Sequence, residues 1–192
     1  MKNKNIEKRA ATIEAAQEES RTISGYAAVF DSDSEDLGGF TERIEQGAFA
    51  EAIGISDVRA LFNHDNNMIL ARTASGTLRI YEDEKGLKYE FEAPNTSAGN
   101  DVLEMIKRGD ISQSSFGFTV EQDSWTKRDG TTYRTIKKVK RLYDVSPVTF
   151  PAYPEASVAV RKLEEINLEE NRTFENDVAT QRVKAALYFH QA

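Results

Sequence analysis

The chain is predicted to be mainly β, with flanking helices and a helical tail. That prediction rests on three observations. Short apolar stretches broken by turn residues fill positions 1–160, and Lys85-Gly86 and Asp129-Gly130 stand where hairpins should reverse. After Val160 no strand composition recurs, and apolar residues take helical spacing instead. The expected organisation is a β-rich, mostly antiparallel domain over 1–160 and a helical tail over 161–192. A length of 192 residues suits one such domain with a tail.

Residues 10–16 and 22–30 read as a first hairpin, parted by the polar stretch 17–21. Positions 31–39 form an acidic loop ending in glycine, and 46–53 carry Phe49, Ala52 and Ile53 at the spacing of a short helix. Strand composition returns over 58–64, then over 77–81 and 87–91, which flank the Lys85-Gly86 turn. The clearest helix spans 97–109. Ser97 is placed to cap it, Val102, Leu103, Met105 and Ile106 make its apolar face, and Gly109 stops it. Residues 111–120 and 131–147 read as long strands about the Asp129-Gly130 turn. Pro147, Pro151 and Pro154 then mark an irregular segment unsuited to a central strand. In the tail, Leu163, Ile166 and Leu168, then Val183, Leu187 and Tyr188, are spaced for helices.

Composition narrows the chemistry. The formal charge is −7, from 25 basic and 32 acidic residues, which argues against general binding to nucleic acid or anionic membranes. No apolar run approaches the roughly 18 residues of a membrane helix, and the polar residues 1–8 do not make a signal peptide; a soluble intracellular domain is expected. With no cysteine there is no disulfide, thiol nucleophile or Cys-ligated metal, and two histidines leave little for a His-based metal site. Charge is unevenly spread: residues 31–51 hold seven acids and one Arg, residues 127–141 seven bases and one Asp. Such runs are ordinarily solvated faces, and otherwise docking surfaces for a charged partner. Phosphate loops, dinucleotide fingerprints, His-Glu-x-x-His and G-x-S-x-G elbows are all absent.

What remains is a serine activated by histidine. His190 lies two residues from the C-terminus, a poor place for fixed geometry, so His64 is the better base. Serines cluster at 112, 114 and 115. Alternation puts Ser112, Ser114, Phe116, Phe118 and Val120 on a core face, and Ser115 on the other beside side-chain-free Gly117. On the next strand Leu142, Asp144 and Ser146 alternate against Tyr143 and Val145, so Asp144 faces as Ser115 does. Asp65 is the rival for orienting the imidazole. Strict alternation groups His64 with Val58, Ala60 and Phe62, so its strand must end or bulge there for the ring to reach Ser115. Spacing alone leaves a serine hydrolase open.

Five ordered blocks then carry a resemblance: 23–30 (ISGYAAVF), 47–49 (GAF), 61–65 (LFNHD), 114–118 (SSFGF) and 144–152 (DVSPVTFPA). Together they resemble the tailed-phage prohead serine proteases from about Thr22 to Val160. The resemblance implies a closed β-barrel flanked by helices, like that of the herpesvirus maturation proteases, and a serine endopeptidase of capsid assembly. It implies His64 as general base, Ser115 as nucleophile and Asp144, where family members often have Glu, as the third member. Backbone N–H groups are expected to supply the oxyanion hole. No metal or cofactor is implied. The partners implied are major capsid or scaffold protein as substrate, with self-association and self-cleavage as further options, in the procapsid within the host cytoplasm. The alternative is a catalytically inactive assembly module that binds those proteins on the same barrel. The chain departs from the family at Leu70-Ala71-Arg72, where Gly is usual in the middle.

Overall fold

The computed structural model describes residues 7–14 and 20–150, together with Ile166, Glu169, Arg172 and Thr173. The chain divides into two compact units, Met1–Glu155 and Ala156–Ala192. In the second, the four described residues are helical, and the Thr173 hydroxyl donates to the Glu169 carbonyl at 2.9 Å. The rest of the expected tail, with His190, Val183, Leu187 and Tyr188, lies outside the described residues, as do Pro151 and Pro154.

In the first unit the described strands form one nine-stranded sheet. Its first hairpin joins β1 (Glu7–Glu14) to β2 (Thr22–Val29). Next come β3 (Phe40–Ile44), α1 (Ala50–Ile55), β4 (Arg59–Leu61) and β5 (Ile69–Arg72). A second hairpin, β6 (Leu78–Glu82) and β7 (Gly86–Glu92), precedes α2 (Ser97–Lys107) and the long pair β8 (Gln113–Arg128) and β9 (Thr131–Val148). Asp129 and Gly130 close that long pair with φ of 50° and 82°, the two left-handed residues that a tight hairpin turn with the right twist requires.

The strand order is β5-β4-β9-β8-β1-β2-β7-β6, with β3 added to β9. All ladders are antiparallel except those of β3 and β4 on β9. β8 lines one edge of β9 throughout, while the other edge is divided between β3, at Thr132–Ile136, and β4, at Asp144 and Val145. β1 turns the corner of the barrel. Its residues Glu7 to Thr12 pair with β8 and Ile13 and Glu14 with β2. Gly25 permits that approach, because a Cβ there would stand 3.0 Å from the Ile13 Cα. The barrel is nearly closed. Its end strands β5 and β6 meet at a turn, where Thr77 N–H donates to the Arg72 carbonyl at 3.2 Å, but no ladder joins them.

Phe116 anchors the interior, edge-on to Phe49 at 5.6 Å and stacked on Phe118 at 4.7 Å. α2 buries Val102, Leu103 and Ile106 in the same core, each contributing about 1.5–3 kcal/mol through burial.

Several expectations shift by a few residues for physical reasons. The cap of α2 is Thr96, whose hydroxyl accepts the Gly99 N–H at 3.1 Å, rather than Ser97. α1 starts at Ala50 because Gly47, at φ 86°, first turns the chain. Pro147 lies within β9, paired with Ser114 near the strand's end, where its carbonyl accepts the Asn63 N–H at 3.0 Å. Lacking an N–H, proline is tolerated there because β4 has already ended its pairing at Val145.

Candidate active site

Ser115 and Asp144 reach one patch through the register of the central hairpin. Ser115 lies opposite Ser146, and Gly117 opposite Asp144. Paired residues project from the same face, so these four form a two-by-two group, while Ser114, Phe116 and Val145 point into the core. Gly117 leaves the corner opposite Asp144 free of a side chain. Leu142 departs from the expected alternation. The ladder steps from Gly117–Asp144 to Phe118–Leu142, making Tyr143 the extra residue of a bulge. That bulge sends Leu142 into the core, at 1% exposure, and leaves Asp144 on the site face.

His64 arrives by a turn instead of a strand. β4 stops at Leu61, and Asn63 and His64 both take left-handed backbone, with φ of 53° and 57°. For residues other than glycine this conformation costs about 1–2 kcal/mol each, least for Asn, so surrounding bonds must hold it. They do so from β9. Asn63 N–H donates to the Pro147 carbonyl, its side-chain amide donates to Thr149 Oγ1 at 3.1 Å, and its Oδ1 accepts the Thr149 N–H at 2.8 Å. The imidazole is thereby carried back over the patch. His64 Nε2 stands 2.8 Å from Ser115 Oγ, and Nδ1 stands 2.5 Å from Asp144 Oδ1.

Burial makes these contacts count. Ser115 is wholly buried, contrary to a half-exposed strand position, because the His64 turn covers its face. The His64 and Asp144 side chains are 10% and 11% exposed. Such a group is able to move a proton from a hydroxyl to an imidazole while a carboxylate holds the far nitrogen. Asp65 does not compete for the ring; its Oδ1 accepts the Asn67 N–H at 2.8 Å within its own turn. The β4–β5 hairpin beneath is braced by Arg72, 2.6 Å from Asp57, and this guanidinium holds the Asp57 carboxyl down at about 2. Ala71, at the position where Gly was expected, is buried in that hairpin opposite Ala60.

Two further residues touch the group. Ser146 donates to Asp144 Oδ1 at 2.6 Å, and Asn63 staples the His64 turn. Ser146 was already sorted onto the Asp144 face by alternation. Asn63 carried a weaker signal, as the residue type most at home in a left-handed turn.

Comparison with known proteins agrees with this architecture. The chain is 31% identical over 144 residues to the prohead protease of Enterobacteria phage HK97, covering 73% of this chain and 60% of that protein's length. The fold is similar to that of the bacteriophage T4 capsid assembly protease, with a TM-score of 0.50 at 10% identity over 75% of this chain and 97% of that one. Residues 4–170, a span that includes every described strand, match the caudovirus prohead serine proteases, and it is to this family that the chain belongs.

Proposed function

We propose that this chain is a maturation endopeptidase that cuts scaffold or capsid-protein segments inside an assembling phage procapsid, in the host cytoplasm. In this reading Ser115 is the nucleophile, His64 the general base and then acid, and Asp144 the group that orients the imidazole. Ser115 Oγ bonds to the scissile carbonyl carbon as its proton passes to His64 Nε2, and the carbonyl oxygen takes up the displaced electron pair. Collapse of that adduct breaks the C–N bond, and the Nε2 proton leaves with the amine. Water then attacks the acyl-serine ester, giving its proton to His64; the new carboxyl end departs and Ser115 regains its hydrogen. Asp144 remains an acceptor throughout. By holding Nδ1–H it leaves the Nε2 lone pair facing Ser115, and it stabilises the imidazolium while that exists.

One observation carries the reading: a single imidazole 2.8 Å from a serine hydroxyl at one nitrogen and 2.5 Å from a carboxylate at the other. The substrate class is supported by membership of the prohead serine protease family and by the phage HK97 relative named as a prohead protease.

The test is co-expression with the capsid and scaffold proteins of the same phage, followed by intact-mass analysis. Wild type should shorten at least one of them. Ser115→Ala and His64→Ala should each lower the rate by about a thousandfold or more with the fold intact, since members of one catalytic unit fail together. Unchanged cleavage by Ser115→Ala overturns the assignment.

A further inference from the structure

We infer that Ser146 is a positioning residue for the reaction, acting through Asp144; this rests on the catalytic reading above. Three observations bear on it. Ser146 is wholly buried, and its hydroxyl donates to Asp144 Oδ1 at 2.6 Å, the length of a charge-assisted O–H···O⁻ bond. The oxygen it selects is the one that also receives His64 Nδ1. And it shares a ladder rung with Ser115, while Asp144 shares with Gly117 the next rung whose side chains point to the same face.

The torsion that swings a carboxylate is soft and roughly two-fold. A lone bond from the imidazole would therefore let the Asp144 group rock about its Cβ–Cγ axis, carrying the ring with it. A second donor on the same oxygen removes that freedom. Water is a poor substitute, because Asp144 is only 8% exposed and Ser146 not at all. The bulge at Tyr143 has a part in this arrangement. It ends the regular ladder just beyond Asp144, while alternation keeps Asp144 and Ser146 on one face, close enough for the 2.6 Å bond between them. The nucleophile is thus aligned through a chain of three contacts: Ser146 to Asp144, Asp144 to His64, and His64 to Ser115.

The experiment uses the full chain and a fluorophosphonate probe, which forms a phosphonate ester on the activated serine with loss of fluoride. Its rate of attachment at Ser115 is read by intact mass. Ser146→Ala should slow attachment about tenfold, the effect of one lost hydrogen bond to a charged group. In an Asp144→Ala background the same change should alter the rate by less than about twofold, because the hydroxyl then has nothing to position. The downfield proton resonance of His64 Nδ1–H should also shift in Ser146→Ala and stay put in the control Ser114→Ala, an equally buried serine on the core face. An unchanged rate, an equal loss in both backgrounds, or a Ser146→Ala chain that no longer folds overturns the inference, the last by assigning the hydroxyl to the core. If wild type cleaves its substrate and Ser146→Ala reacts normally, positioning alone fails. If wild type reacts no faster than Ser115→Ala, the catalytic reading falls and the inference with it.

Discussion

Ser114 and Ser115 are adjacent and both wholly buried, yet they occupy opposite sides of one strand. Ser115 meets an imidazole; Ser114 meets the core, near the Tyr89 phenol. Burial pushes that phenol up, and the Ser114 hydroxyl beside it pulls slightly the other way, though neither hydroxyl makes a well-formed hydrogen bond. Removing a poorly satisfied hydroxyl from an apolar site costs little, since the polar group was not repaid for its desolvation. Ser114→Ala and Tyr89→Phe should therefore change unfolding free energy by less than about 1 kcal/mol in urea titrations, with near-normal cleavage. A dead Ser114→Ala beside an active Ser115→Ala would reverse the choice of nucleophile. At this scale alternation alone sorted Ser115, Gly117, Asp144 and Ser146 together, because a period of two holds wherever a ladder is regular. It misplaced Leu142 because a bulge adds one residue and inverts the face of everything before it.

The element least legible in the sequence is the one that delivers His64. Residues 58–64 have strand composition, but only Arg59–Leu61 form β4, and Asn63 and His64 make a left-handed turn held from outside by Pro147 and Thr149. Nothing local announces that stapling, since its partner lies 86 positions away. Substitution separates its two components. Asn63→Gly keeps the left-handed backbone and loses the side-chain bonds, whereas Asn63→Ala loses both. Peptide-cleavage assays should find Asn63→Gly impaired about tenfold and Asn63→Ala more severely, with both folds intact by circular dichroism. Equal activities would mean that the turn's conformation contributes nothing beyond the staple. β3 was hidden for a related reason. Its inward positions are Phe40, Glu42 and Ile44, so a charge interrupts the apolar alternation by which strands are found. The hairpins β1–β2, β6–β7 and β8–β9 were legible because their turns and patterns lie within a few residues of each other.

The charge in β3 belongs to a network that spans the molecule and supports the site indirectly. Arg134 on β9, 2% exposed, contacts Glu7 on β1 at 2.6 Å, Glu42 on β3 at 2.9 Å and Asp123 on β8 at 2.9 Å. Arg9 adds bonds to Glu7 and Glu42 and lies over the Phe118 ring. Burial would lower the Arg134 affinity for its proton, but the hydrogen bond and charge of Glu7, with Glu42 and Asp123, raise it overall. Four strands are thus tied close to where β1 flanks Ser115, for Ala10 pairs with Ser115 itself. Composition hinted at none of this, because the seven bases over 127–141 read as one exposed run while Arg134 points inward. Buried ion networks add little over an apolar core, but opening one leaves bare charge inside. Arg134→Met should accordingly destabilise the chain by about 3–5 kcal/mol in urea unfolding. The sign of a second change then identifies the cause. Glu7→Gln should destabilise wild type, where it removes a partner from Arg134, and should stabilise the Arg134→Met chain, where Glu7 and Glu42 are left to share Arg9 and one charge fewer relieves the excess. If Glu7→Gln weakens both backgrounds equally, the network is not a coupled unit, and the join between β1 and β8 rests on its ladder alone.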